Sequence, residues 1–174
     1  MMIGRVRQFF WAAFARISAS DREYVERSLV PALRRLFFEM SVPDQCHAVR
    51  TARCAQMLMR KFSEPEPVDS AFLTRCALLH DIGRKKGDLG TIWKSIAVLF
   101  SALFPKCAYA CGNSSEGLLA KKMRVYFHHA EIGADLLEDL GFAAEAAVIR
   151  KHHKAPADDD PPELRILRMA DAKS

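Results

Sequence analysis

The residues able to do chemistry in this chain are few, and they are grouped. The stretch "RCALLHDIGRKKGD" (75–88) carries an apolar run, Cys76-Ala77-Leu78-Leu79, directly into His80-Asp81, then Ile82-Gly83 and the cations Arg84, Lys85 and Lys86. Burying an unpartnered polar group costs roughly 2–7 kcal/mol, and a charge costs more. An imidazole and a carboxylate carried inward therefore need compensation. All six histidines fall into four groups, His47, His80, His128-His129 and His152-His153, and a late acid, Asp171, leaves the apolar run "RILRMADA" (165–172). A divalent cation compensates such a set by replacing lost hydration with ligand bonds. Imidazole mixed with carboxylate suits zinc, iron, manganese, nickel or cobalt rather than calcium. Adjacent residues on a helix diverge by about 100°, so His80 and Asp81 take neighbouring coordination positions. The two oxygens of Asp81 can bridge two ions while His80 binds one.

The order His, His-Asp, His, His, Asp, with "HDIGR" in its middle, resembles the HD-domain superfamily of metal-dependent phosphohydrolases. "HHAEIGADLL" (128–137) is similar to that family's His-x-x-x-Gly helix start, "IRKHH" (149–153) to its later histidine and "LRMADA" (167–172) to its closing Ala-Asp. The likeness spans about residues 41–172. It implies an all-α, HD-domain-like helical bundle with the metal site between core helices. One ion would be held by His47, His80, Asp81 and Asp171, and a second would share Asp81 and take His129 and His152. His129 is preferred to His128 by its distance to Gly133, and His152 to His153 as the first of its pair. The unused His128 and His153 are left as surface residues, ligands of a third ion or proton donors to the leaving group. A lysine usual after "HDIG" is Arg84 here, which still offers a fixed cation with a bidentate fork for phosphate. The Gly-Tyr-Pro signature of cyclic di-nucleotide phosphodiesterases is absent. The chain is also similar to small bacterial diadenosine-tetraphosphate hydrolases of HD type, from which an inserted stretch, about 84–117, sets it apart.

The chemistry so implied is hydrolysis of a nucleotide or other phosphate ester by metal-activated water, with Asp81 at the reacting centre and one or two divalent transition-metal ions as cofactor. No Walker-type glycine loop is present, so phosphate must be held by metal and cations. Arg50 lies one helical turn from His47 and faces roughly the same way; Arg84 and Lys85 follow the His-Asp pair. Anion capture is their functional role; complementing a helix carboxyl end or simple surface charge is the alternative. Two other functions stay open, an HD-type di-iron oxygenase and a non-catalytic module that binds metal or nucleotide and signals.

The elements that must position these groups read as helices throughout, with no convincing period-two alternation. Ser20-Asp21 can cap a helix that Pro31 should break near its middle. "SVPDQ" (41–45) starts the next, which runs to about Phe62, and another spans about Val68 to Ile82. The apolar stretch "TIWKSIAVLFSALF" (91–104) stops before Pro105 and is too short to cross a bilayer. It reads first as a packed core helix, with a membrane-dipping or partner-binding hairpin, or a lid, as alternatives. Helical segments at about 118–140 and 142–153, and a last helix starting near 160–163, complete the chain. Residues 1–40 are expected to be helices packing on an HD domain at 41–174.

At 174 residues, half of them apolar and 27% charged, the chain suits one soluble globular domain. A net charge of +5 fits a cytoplasmic protein handling a small phosphorylated substrate and falls short of a nucleic-acid-binding stripe. The five cysteines form no pattern and read as buried thiols in a reducing compartment. At the amino terminus, Ile3, Val6, Phe9, Phe10, Ala13, Phe14 and Ile17 recur at helical spacing with no signal-peptide cleavage site. That helix is expected on the domain's own core in preference to a membrane surface.

Overall fold

The computed structural model describes residues 16–61, 67–88, 91–114 and 117–174. The helix expected over residues 3–17 lies almost wholly outside them. The described residues form an all-α bundle: α1 (Ala19–Ser28), α2 (Pro31–Glu39), α3 (Val42–Met59), α4 (Ser70–Leu79), α5 (Thr91–Leu103), α6 (Pro105–Gly112), α7 (Leu118–Asp139), α8 (Ala143–Lys151) and α9 (Pro162–Asp171). None of these is long and apolar enough to cross a membrane.

Local chemistry accounts for most boundaries. Pro31 ends one helix and starts the next, because its fixed φ suits the first helical turn while its missing N–H forbids continuation. The cap of α1 is Ser18, not Ser20-Asp21. The Ser18 hydroxyl accepts from Asp21 N at 3.1 Å and the Asp21 carboxylate accepts from Ser18 N at 3.3 Å, a reciprocal box. Asp69 caps α4 by accepting from Ala71 N and Phe72 N. Two expected helix ends move inward: α3 stops at Met59 and α4 at Leu79, so His80-Asp81 stand just beyond a helix rather than within one. Pro105 not only ends α5 but opens α6, a helix the sequence pattern did not announce.

One apolar core joins Val25 of α1, Leu33 and Phe37 of α2, Ala48, Ala52 and Ala55 of α3, Leu73, Ala77 and Leu78 of α4, Ala134 and Leu137 of α7, Ile149 of α8 and Leu164 and Leu167 of α9. The alanines of α3 recur at three- and four-residue spacing and let α3 approach α4 and α9 closely. A smaller cluster, Ala97, Ala108 and Met123, seats α5 and α6 on the amino-terminal half of α7. The 84–117 stretch therefore has its own small core beside the main one.

Candidate metal centre

The turn after α4 presents the central pair. His80 is the helix cap residue, with helical φ and ψ, and Asp81 begins a run of turns closed by Ile82 N–Leu79 O at 3.2 Å and Arg84 N–Asp81 O at 2.9 Å. The turn is pressed against α7 through two glycines. A Cβ on Gly83 would stand 2.0 Å from the backbone oxygen of His129, and one on Gly133 would stand 3.2 Å from Gly83 N. Only bare backbone at position 83 lets α7 approach closely enough to set His129 beside Asp81.

Two donor groups share Asp81. His47, His80 and Asp81 form one; Asp81, His129, His152 and His153 form the other, and within each group the ligand atoms lie within 4.8 Å of one another. Either could hold a metal ion. Asp171, at the end of α9, joins the first: its Oδ1 accepts from His47 Nε2 at 2.9 Å and lies 3.5 Å from His80 Nε2. Of the expected ligands His47, His80, Asp81, His129, His152 and Asp171, all six come together. His153, left between roles, also enters, with Nε2 2.8 Å from His129 Nε2.

The imidazole tautomers suit a cation. A carbonyl only accepts, so the ring nitrogen facing one carries the proton. Nδ1–H of His80 donates to Ala77 O at 2.9 Å, that of His129 to Tyr126 O at 3.1 Å and that of His152 to Ile149 O at 2.6 Å. Each partner is three residues earlier, and each bond turns Nε2 into the site, as a lone pair on His129 and His152 and on His80 once its second proton is given up. Metal-ligating histidines are held this way. His80 Nε2, Asp81 Oδ1 and His152 Nε2 are buried without a hydrogen bond. Orphaned buried polar atoms cost about 1–3 kcal/mol each, and cations held by the two groups would satisfy all three. The residues therefore fit a divalent ion.

Electrostatics point the same way. Burial disfavours a charge on His80, yet the Asp81 and Asp171 carboxylates outweigh it and raise its pKa to about 9. Burial would raise Asp81, but Arg84, His80 and His129 hold it well below the usual carboxylate range. Asp171 is likewise lowered against its burial by His47 and His80. Burial, then the His80 and His153 charges, push His152 down to about 3, and burial with Arg84 lowers His129 well below the ordinary histidine value. Two carboxylates stay ionised and two rings stay neutral, the states that ligate, while His80 must give up its second proton to join them.

The cations and the remaining histidine divide. Arg84 reaches the cluster: its guanidinium donates to Asp81 Oδ2 at 2.5 Å and to His129 Nε2 at 2.9 Å. Lys85 instead pairs with Glu39 at 2.8 Å, where Met40 and Lys85 form an isolated bridge. Arg50 is half-buried beside Cys46, outside both donor groups, and burial lowers its pKa. His128, expected as a possible proton donor, is not part of the cluster: its Nε2 meets Asn113 Oδ1 at 3.0 Å and its ring leans on Tyr109. The sequence reading missed what Gly83 and the i−3 carbonyls do; the glycine in "HDIG" was the available signal for the first. Against models of protein families, curated protein sequences and solved structures alike, the chain gives no match.

Proposed function

We propose that this chain is a metal-dependent phosphohydrolase of HD type that acts on a nucleotide or another phosphate ester. The observation that carries the reading is the sharing of Asp81 by two adjacent donor groups, in the chain order the HD pattern requires. His47, His80, Asp81 and Asp171 would hold one ion; Asp81, His129 and His152, with His153 in reach, would hold a second. Bound divalent ions supply Lewis acidity at a phosphoryl oxygen and lower the pKa of water toward neutrality. The chain supplies the rest. The Nδ1–H bonds fix the three rings, so no reorientation is needed when a cation arrives. Arg84 keeps a permanent positive charge beside Asp81 and His129, in a planar fork suited to phosphoryl oxygens. His153 stands at the rim with its ring turned inward onto His129, and the partial burial of that ring lowers its pKa, so a neutral imidazole able to pass a proton is placed there.

The test is Asp81→Ala, measured for bound metal and for hydrolysis. Wild-type protein loaded with manganese, cobalt, nickel or iron is offered nucleotides, dinucleoside polyphosphates and model phosphodiesters. The reading expects turnover of at least one class by the wild type, and loss of both turnover and most bound metal in the variant. Full metal occupancy in Asp81→Ala removes the shared-ligand role, and silence of every metal-loaded form across the panel removes hydrolysis.

A further inference from the structure

The stretch inserted between the HDIG turn and α7 has a feature the metal chemistry does not use. Ile96, Leu99 and Leu103 of α5 are exposed, Leu99 and Leu103 to 61% and 62%, and at about 100° per residue they fall on one face of the helix. Phe104 at the α5–α6 corner, Tyr109 of α6 and Leu118 at the start of α7 are exposed as well. The opposite side is committed: Ala97 and Ala108 are buried against Met123, with Phe100 and Cys111 packed on them. This outward apolar face is thus not a misplaced core; the core face of the same hairpin is already used.

The sequence of this segment is one-sided in charge. From Leu89 to Ala130 there are five cations, Lys94, Lys106, Lys121, Lys122 and Arg124, against one acid, Glu116. That segment holds four of the chain's five net positive charges. Lys106, Lys121 and Arg124 are exposed, and Lys122 bonds Gly87 O. Two occupants compete for such a surface. A second copy in an isologous pair would set this positive segment against itself. An anionic bilayer meets the aliphatic face with acyl chains and the lysines with headgroup phosphates. At 13 residues α5 is about 20 Å long, shorter than the hydrocarbon core, so it would lie in the interface rather than span it.

We propose that the exposed face of α5, with the α5–α6 corner, is a docking surface for an anionic phospholipid membrane. Docking there places the metal centre beside the membrane. The helix that carries Met123 into the small core carries His129 into the site six residues on, about 9 Å along its axis. Asn113, just past α6, and Tyr109 both touch His128, next to the ligand His129.

Full-length protein is sedimented with vesicles of phosphatidylcholine alone and of phosphatidylcholine with phosphatidylglycerol at 7:3, with no substrate or activity readout. Partitioning onto the anionic vesicles should exceed that onto the neutral ones by about tenfold or more. Leu99→Ser with Leu103→Ser should reduce it by a similar factor, while the unfolding midpoint and bound metal stay at wild-type values. Lys106→Glu with Lys121→Glu, at exposed polar positions, should abolish the preference for anionic lipid. Equal partitioning onto both vesicles overturns the proposal, as does binding that survives both double substitutions. A dimer in sedimentation equilibrium that Leu99→Ser with Leu103→Ser dissociates also overturns it, since a second copy then covers the face.

Discussion

Chelating the metal should turn His80 into the group that sets how stability depends on pH above neutrality. In the folded chain its pKa is raised to about 9, and an unfolded histidine titrates near 6.5. The folded state therefore holds this proton more tightly, so protonation stabilises it. The contribution is complete below about pH 6.5, shrinks as pH rises and is gone above about 9. The whole difference is worth about 3 kcal/mol, of which about 1 is lost between pH 7.5 and 8.5. His129, His152 and His153 have lowered pKa values and are almost wholly neutral in both states across that window. Their opposing effect is confined to lower pH, where the unfolded chain takes up protons first and stability falls. Urea unfolding in EDTA at pH 7.5, 8.0 and 8.5 should thus show a steady decline, and His80→Gln should flatten it whatever its own stability. Metal should reverse the sign, because the ion needs the nitrogen that the proton occupies: affinity rises with pH over the same range, with proton release detectable by calorimetry in buffers of different ionisation enthalpy. Stability that is flat or rising from pH 7.5 to 8.5 without metal, or an unchanged slope in His80→Gln, refutes the coupling of His80 to Asp81 and Asp171.

Other substitutions probe separate parts of the site. Gly83→Ala forces a methyl group into the backbone oxygen of His129, so α7 must retreat; a loss of about 2–3 kcal/mol in thermal unfolding is expected, with metal affinity reduced about tenfold or more by titration. Arg84→Ala removes a cation in contact with Asp81 and His129, so the ion held by that group should bind several-fold tighter while phosphate affinity falls, both read by isothermal titration. His128→Ala should leave the metal content unchanged by elemental analysis, whereas His153→Ala should weaken the second group, because only His153 lies among the donors.

The sequence announced the ligands better than the scaffold that holds them. Polar groups at the ends of apolar helical runs are conspicuous because burial without a partner is costly, and His80, Asp81 and Asp171 were legible for that reason. Pro31 was legible too, since a missing N–H acts locally. What was not legible depended on contacts distant in the chain. The early end of α4 at Leu79 follows from docking the HDIG turn on α7, which no local propensity encodes. Helix α6 was hidden because its eight residues bury little beyond Ala108, so the apolar period that marks other helices is faint. The choice between His128 and His129 turned on one residue, about 100° of rotation on α7, and the geometry places His129 in the cluster and His128 outside it, against Asn113. The doublet at 152–153 has no such division: the helix ends at Lys151, and beyond it both rings can turn to one place.

That helix ending is part of a wider pattern. His80 is the cap residue of α4 and His152 that of α8, while Asp171 is the last residue of α9. Three helix carboxyl ends therefore converge where the ligand atoms meet. Each carries roughly half a negative charge on carbonyls without intrahelical partners, which favours a cation nearby and disfavours a carboxylate by about 0.3–1 kcal/mol. Asp81 and Asp171 are placed against that preference, and inside a buried cluster. Among side chains the compensation comes from the Arg84 guanidinium at Asp81 and from His47 and His80 at Asp171. The rings of His129 and His152 contribute lone pairs rather than charge, because burial keeps them neutral. Helix amino ends that converge make an anion site; here the polarity is inverted, and carbonyl dipoles, carboxylates and imidazole lone pairs all favour positive charge at one point. The three orphaned side-chain atoms, His80 Nε2, Asp81 Oδ1 and His152 Nε2, mark that point from the side-chain direction, and the helix carboxyl ends mark it from the backbone.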